Sequence, residues 1–227
     1  MRRSWAVASG LLGLALLAGV AWTQTAPTPT PQAPAGPPVP ATVALTPDRA
    51  EAAALAQARR NPLAVRLRDV LSKSPARAAL PAIQASETPV LGPPDPALLA
   101  TARFIPGDGQ YTLVVRDGDT VIEIFGTTRA LRSPTGAPLA APLAPPPRQA
   151  LTRGPSALEA ASTQARQSGL SQVRTERTEY GVDVSFSRFG AAYNVTFICE
   201  GPGGSVGCTE ADAVAFAASL IVLGGGQ

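Results

Sequence analysis

The most regular alternation of apolar and polar residues in this chain lies between positions 182 and 199. Residues 182–187 alternate large apolar with small polar side chains, and residues 193–199 resume the alternation after a break at Arg188-Phe189-Gly190. A period of two residues is typical of half-buried strands. The pattern therefore predicts a central β-hairpin. Its predicted apolar face consists of Val182, Val184, Phe186, Tyr193, Val195 and Phe197.

Helix signals flank this hairpin on both sides. Ser156-Ala157-Leu158-Glu159 is a capping-box pattern, and Gly169 is a plausible helix stop. Residues 173–179 alternate charged residues with β-formers and predict a polar edge strand. After Thr209, a final helix is expected to run through Leu223 and to bury its apolar residues against the hairpin. Residues 150–227 thus predict an α-β-β-β-α unit.

A second hairpin is predicted earlier in the chain. Residues 110–116 and 119–126 flank Asp117-Gly118, a dipeptide favoured by two-residue hairpin turns, and this register pairs Leu113 with Ile122. An isolated hairpin is only marginally stable, so it needs a third strand or a helix. With the short helix expected after Asp95-Pro96, it forms a predicted unit at residues 89–132. The sequence leaves open whether the two hairpins are repeats or strands of one sheet.

Proline-rich segments divide the chain. The sequence contains 24 prolines and 21 glycines, and the prolines concentrate in residues 22–47 and 133–149. Such composition favours extended, disordered linkers. The predicted fold class is therefore α+β, with small antiparallel hairpin units packed on short helices and separated by proline-rich disordered linkers.

A helical segment is expected at residues 48–88, and its charge is strongly basic. Leu63, Leu67, Val70 and Leu71 fall on one predicted apolar stripe. Between Arg59 and Arg77 there are six basic residues and a single acidic one, Asp69. One hypothesis is that this helix docks on an anionic membrane surface or an acidic partner, with Arg66 and Arg68 as candidate binding residues. The alternative is an ordinary surface helix with a solvated basic face, and the absence of aromatics on the stripe favours it.

The amino terminus predicts export. Arg2 and Arg3 precede an uncharged run from position 6 to position 20, which is the layout of a secretory signal peptide over residues 1–21. The alternative is an uncleaved membrane anchor over residues 5–22, since a spanning helix needs about 20 apolar residues. Either alternative predicts an exported protein of the periplasm or cell surface.

Cys199 and Cys208 are the only cysteines of the chain. In an exported protein, two cysteines predict a structural disulfide. Closing a loop of this length is expected to stabilise the fold by about 2.7 kcal/mol through chain entropy. A redox role is the weaker alternative, because the spacing is not that of a Cys-x-x-Cys site.

Composition excludes several function classes. The chain has no histidine, which removes Ser-His-Asp and Cys-His catalysis and every histidine-containing metal site. Its net charge is only +3, so no global basic field indicates a nucleic-acid partner. No cofactor or metal is expected. A secreted hydrolase remains as an alternative, if Asp183, Glu200 and Glu210 converge in one site.

The favoured interpretation is a non-enzymatic exported envelope protein. Its disulfide-stapled α+β module would bind another protein or an envelope polymer. Phe189, Tyr193 and the loop at residues 200–207 are predicted as the exposed groups that make this contact.

Overall fold

A computed structural model describes residues 41–132, 156–199 and 208–226. The predicted signal peptide or anchor, most of the first linker, the second linker at 133–149 and the loop at 200–207 lie outside the described residues. The described strands are β1 (Ala41–Ala44), β2 (Val90–Gly92), β3 (Arg103–Gly107), β4 (Gln110–Asp117), β5 (Thr120–Thr127), β6 (Arg129–Arg132), β7 (Ser171–Arg177), β8 (Gly181–Arg188), β9 (Ala191–Cys199) and β10 (Ile221–Gly224). The described helices are α1 (Arg49–Arg59), α2 (Pro62–Lys73), α3 (Leu80–Ala85), α4 (Pro96–Ala100), α5 (Ala157–Gln167) and α6 (Glu210–Ser219), with a 3₁₀ turn at Pro75–Ala79. The predicted α+β class is confirmed.

Both predicted hairpins belong to one antiparallel sheet of six strands. Its order is β3-β4-β5-β9-β8-β7, so strand β5 of the first hairpin pairs with strand β9 of the second. In this central pairing Ile124 lies opposite Val195. Each hairpin needs a third strand, and each has two neighbouring strands: an outer strand, β3 or β7, on one side and the other hairpin on the other side. Two smaller antiparallel pairs, β1 with β6 and β2 with β10, complete the described strands.

The turn of the first hairpin differs from its prediction by one position. Asp117 pairs with Thr120, so the two-residue loop is Gly118-Asp119 rather than Asp117-Gly118. Gly118 has φ +60°, which suits the first loop position of a type II′ turn. Leu113 consequently pairs with Ile124 and not with Ile122. Because the partner moves by two residues, every side chain keeps its predicted face.

The second hairpin turns at Phe189-Gly190, within the predicted break. Both residues have positive φ values, 56° and 72°, as a type I′ turn requires. Glycine adopts this conformation without strain, whereas a phenylalanine there is uncommon.

One face of the sheet forms the core together with the helices. The predicted apolar faces of both hairpins are buried, as expected from their alternation. The buried strand residues are Tyr111, Leu113, Val115, Ile122, Ile124, Val182, Val184, Phe186, Tyr193, Val195 and Phe197. Helix α6 packs on this face, where Phe216 contacts Phe197 edge-on at 5.3 Å between ring centroids.

The predicted end of the last helix is wrong. Helix α6 ends at Ser219, and residues Ile221–Gly224 form strand β10, which pairs with β2. The apolar side chains of this segment are buried as expected, but its backbone pairs with β2 and does not continue the helix. Because β2 is 130 residues earlier in the chain, local propensity carried no signal of this pairing.

The predicted stripe of α2 is partly wrong as well. The helix buries Ala64, Leu67 and Leu71, which lie at i, i+3 and i+7. Leu63 is 39% exposed, and its neighbour Val65 is exposed too. The small side chain of Ala64 therefore occupies the packing position predicted for Leu63.

Candidate functional site

The predicted disulfide between Cys199 and Cys208 is confirmed. Cys199 is the last residue of β9, and Cys208 directly precedes Thr209, the N-cap residue of α6. The bond thus joins the end of a central strand to the start of the helix that packs on it. This position supports a structural role.

Tyr193 is not an exposed contact group. It is 2% exposed, and its hydroxyl donates a hydrogen bond of 2.9 Å to the carbonyl oxygen of Pro89. Tyr111, two strands away on the same row, accepts a hydrogen bond of 2.8 Å from the backbone N–H of Leu91. The two tyrosines therefore hold the backbone around β2 against the sheet. Burial raises the pKa of both hydroxyls well above the ordinary value, so both stay protonated.

We expect Tyr193→Phe to lower the free energy of unfolding by about 1–2 kcal/mol, because the buried carbonyl of Pro89 would lose its donor. Tyr180→Phe is the matched control, since Tyr180 is 68% exposed and its change should cost almost nothing. Urea unfolding of both variants measures the difference. Equal midpoints for the two variants would contradict the anchoring role of Tyr193.

Phe189 is also buried, contrary to its prediction as a surface contact. It is 7% exposed, and the guanidinium of Arg188 lies over its ring at 4.6 Å from the centroid. Its side chain borders two clefts, of about 620 Å³ and 490 Å³. The strained turn at Phe189-Gly190 therefore directs the aromatic ring inward, where it lines both clefts.

Arg188 is the charged residue of this region. Its Nη1 donates a hydrogen bond of 2.9 Å to the carbonyl oxygen of Leu220, the C-cap residue of α6. Its Nε is buried and has no hydrogen-bond partner among the described residues. Burial lowers the pKa of this guanidinium, and the nearby Tyr193 acts in the opposite direction. Arg188 was not among the predicted site residues, although it lies at the predicted break between the two strands.

The predicted binding arginines of α2 have different surroundings. Arg66 is exposed, whereas Arg68 is half-buried and donates a hydrogen bond of 2.9 Å to the carbonyl oxygen of Arg59. Arg59 in turn donates to the carbonyls of Gly225 and Gly226. Part of the basic segment therefore stabilises the fold by binding carbonyl groups. Docking on an anionic membrane surface stays a prediction.

The other face of the six-stranded sheet carries the polar half of the alternation. One row across the strands contains Ile105, Thr112, Phe125, Asn194, Ser185 and Arg174. Asn194 Oδ1 accepts a hydrogen bond of 2.9 Å from Ser185, and its Nδ2 donates one of 3.0 Å to Thr196. A groove of about 340 Å³ follows this region of the sheet. We call it the sheet groove. Its lining side chains include Phe125, Thr127, Gln172, Arg174, Ser185, Ser187, Ala192 and Asn194.

The carboxylates proposed for a hydrolase do not form one site among the described residues. Asp183 lies on the polar face, in register with Thr196 of β9 and Glu176 of β7. Glu210 begins α6, which packs on the opposite face. Glu200 lies outside the described residues. Within residues 41–132, 156–199 and 208–226, no group of three or more acidic or cysteine side chains is arranged to hold a metal ion.

Two further findings bear on the identity of the chain. None of the helices in its described part is long and apolar enough to cross a membrane. Comparison with protein-family models, with curated proteins and with solved structures found no match. The function of this chain is therefore inferred from its own sequence and geometry.

Proposed function

We propose that this chain is a non-enzymatic exported envelope protein whose α+β module binds an uncharged envelope polysaccharide in the sheet groove. Export follows from the predicted signal peptide or anchor at residues 1–21. The observation that carries the binding proposal is the group of neutral hydrogen-bonding side chains that lines the sheet groove beside the ring of Phe125, on the polar face of the sheet.

The side chains of the sheet groove suit a hydroxyl-rich polymer. Asn194, Ser185 and Ser187 offer donors and acceptors, and their strands are spaced about 4.8 Å apart across the groove. Half-buried Phe125 supplies an apolar surface for the face of a sugar ring. A flat polymer lying across the strands can therefore make repeated polar contacts along one line.

The charge of this face favours an uncharged partner. Within the described strands, three arginines and three carboxylates occupy the polar face of the sheet, so their formal charges cancel. They are Arg103, Arg116, Arg174, Glu123, Asp183 and Glu176. Of these six residues only Arg174 lines the sheet groove. Strong binding of a polyanion needs a single-sign field, which this balance does not provide. A protein partner would gain most from a large apolar patch, whereas Ile105 is the one strongly exposed apolar side chain among the described strands of this face.

We expect the full-length protein to sediment with insoluble chitin or with the insoluble glycan fraction of its own cells. The double variant Phe125→Ala/Asn194→Ala should bind at least about tenfold more weakly, a loss of about 1.4 kcal/mol. Arg116→Ala is the matched control, because Arg116 lies on the same face but outside the sheet groove.

Three outcomes would contradict the proposal. The wild-type protein fails to sediment with either glycan, the double variant binds as well as Arg116→Ala, or a proteinaceous envelope fraction competes for binding while soluble glycan fragments do not. Thermal unfolding of each variant shows that a loss of binding is not a loss of fold.

A further inference from the structure

We infer that the cleft of about 620 Å³ beside Arg188 is a second binding site, which takes a ligand with a carboxylate and neighbouring amide groups. We call it the Arg188 cleft. It is separate from the sheet groove, and the two share no lining residue. The inference is independent of the polysaccharide proposal.

The guanidinium of Arg188 provides the anchor. Among the described residues, no carboxylate lies within ion-pair distance of it, and the two ion pairs found there involve Lys73 and Arg129. A partly buried positive charge without a counter-ion is costly, and a bound anion would offset that cost. The guanidinium is held in place by the carbonyl oxygen of Leu220 and by the ring of Phe189. It is therefore oriented before any ligand arrives.

The remaining charges of the cleft favour a single negative charge. Arg60 is a second, exposed cation on the wall, and Glu51 is the one acidic residue there. The Glu51 carboxylate is already engaged, since it accepts a hydrogen bond of 3.1 Å from the backbone N–H of Asp48 in the capping box of α1. Two guanidinium groups against one engaged carboxylate suit a monoanion better than a dianion.

The helix ends around the cleft agree with this assignment. The amino end of α2 borders it through Asn61 and Pro62, and the positive end of a helix favours an anion. The carboxyl ends of α1 and α5 also border it. The cap N–H of Arg60 donates to the carbonyls of Gln57 and Ala58, and that of Ser168 donates to the carbonyls of Gln164 and Arg166. These helix ends therefore oppose an anion less than fully open ends would.

The neutral side chains indicate the rest of the ligand. Gln57, Gln167 and Asn61 line the same cleft. Their amide groups can both donate and accept, which matches the peptide group of a short acylated peptide. A carboxylate binds an arginine by paired, charge-assisted hydrogen bonds, so the free carboxyl end of a peptide fits this combination.

The test uses N-acetyl-alanyl-alanine as the free acid, its carboxamide and inorganic phosphate, each titrated into the full-length protein by calorimetry. We expect the free acid to bind at least about tenfold more tightly than the carboxamide, as charge-assisted pairing predicts. Arg188→Gln should abolish this preference, and Arg188→Lys should retain only part of it because lysine keeps the charge without the planar fork. Arg66→Ala is the control, since Arg66 does not line the cleft.

Arg188 also caps α6, so a purely structural role must be distinguished. If Arg188 has only a structural role, Arg188→Gln should change the unfolding midpoint and leave the ratio of acid affinity to amide affinity unchanged. Arg60→Ala gives a second variant, because Arg60 is exposed and its removal should weaken acid binding while leaving stability unchanged. Equal affinity for acid and amide, no binding of either, or tighter binding of phosphate than of the acid would each overturn the inference.

Discussion

Gly126→Ala is expected to lower the free energy of unfolding by about 3 kcal/mol, at the upper end of the range for an overpacked core. Gly126 lies between two tyrosines in the sheet, with Tyr111 opposite it on β4 and Tyr193 opposite it on β9. A methyl group there would lie 2.5 Å from Cε1 of Tyr111 and 2.9 Å from Cε1 of Tyr193. Both rings are buried and hydrogen-bonded to the backbone around β2, so neither can move without breaking that anchor. Urea unfolding followed by circular dichroism measures the loss.

Gly107→Ala is the matched control for this substitution. Gly107 lies in the edge strand β3, and an added methyl group would meet mainly the side chain of Gln110, at 2.8 Å from its Cγ. Gln110 is exposed and can change rotamer, so the variant should be within about 0.5 kcal/mol of wild type, as most surface substitutions are. If both glycine variants lost the same stability, the cost would come from strand propensity and not from the tyrosine packing.

The strand pattern was predictable because alternation is a local property. In residues 182–187 and 193–197 every second side chain is large and apolar, and those side chains are the buried ones. The turn at Phe189-Gly190 was located by the interruption of the pattern. The first hairpin kept its faces in spite of its shifted turn, because a two-residue shift preserves the pleat.

The pairing between the hairpins was not predictable from local pattern. Strands β5 and β9 are about 70 positions apart and are separated by a proline-rich segment, which composition assigned as a divider between units. The joint sheet follows instead from the matching apolar faces of the two hairpins, a long-range relation. The same reason explains β10, whose apolar residues fit a helix or a strand equally well until β2 is available as a partner.

The exposure of the candidate binding side chains was predictable from the sequence only in part. Aromatics near a turn were predicted to be exposed, yet Phe189 and Tyr193 point into the core, because a hairpin packed on helices buries its large side chains. The polar half of the same alternation, Ser185 and Asn194, marks the accessible face and could have been selected from the sequence. Arg188 could not, since its hydrogen bond to the carbonyl of Leu220 joins residues 32 positions apart and depends on the tertiary fold.

Removing the disulfide is expected to lower the free energy of unfolding by about 2.7 kcal/mol, the chain-entropy value for a closed loop of about ten residues. The cysteines are nine positions apart, and Cys199 packs partly buried against the core. The double variant Cys199→Ser/Cys208→Ser removes their bond with little change in side-chain volume. Equilibrium unfolding in urea measures the change. Wild-type protein in a reductant should reproduce the result, because the chain has no other cysteine on which a reductant can act.

The folded state should survive this loss with α6 still in place. The helix keeps its N-cap hydrogen bond of 3.2 Å from the N–H of Asp212 to Thr209 Oγ1, and Phe216 keeps its contact with Phe197. We therefore expect an unchanged far-ultraviolet spectrum before unfolding. The slope of the free energy against urea concentration should equal or slightly exceed that of wild type, since it reports the surface exposed on unfolding and the unfolded chain loses a constraint. A lower slope together with a weaker helical signal would mean that the bond holds α6 on the sheet. In that case the stabilisation would come from native contacts that depend on the bond, and not from constraint of the unfolded chain.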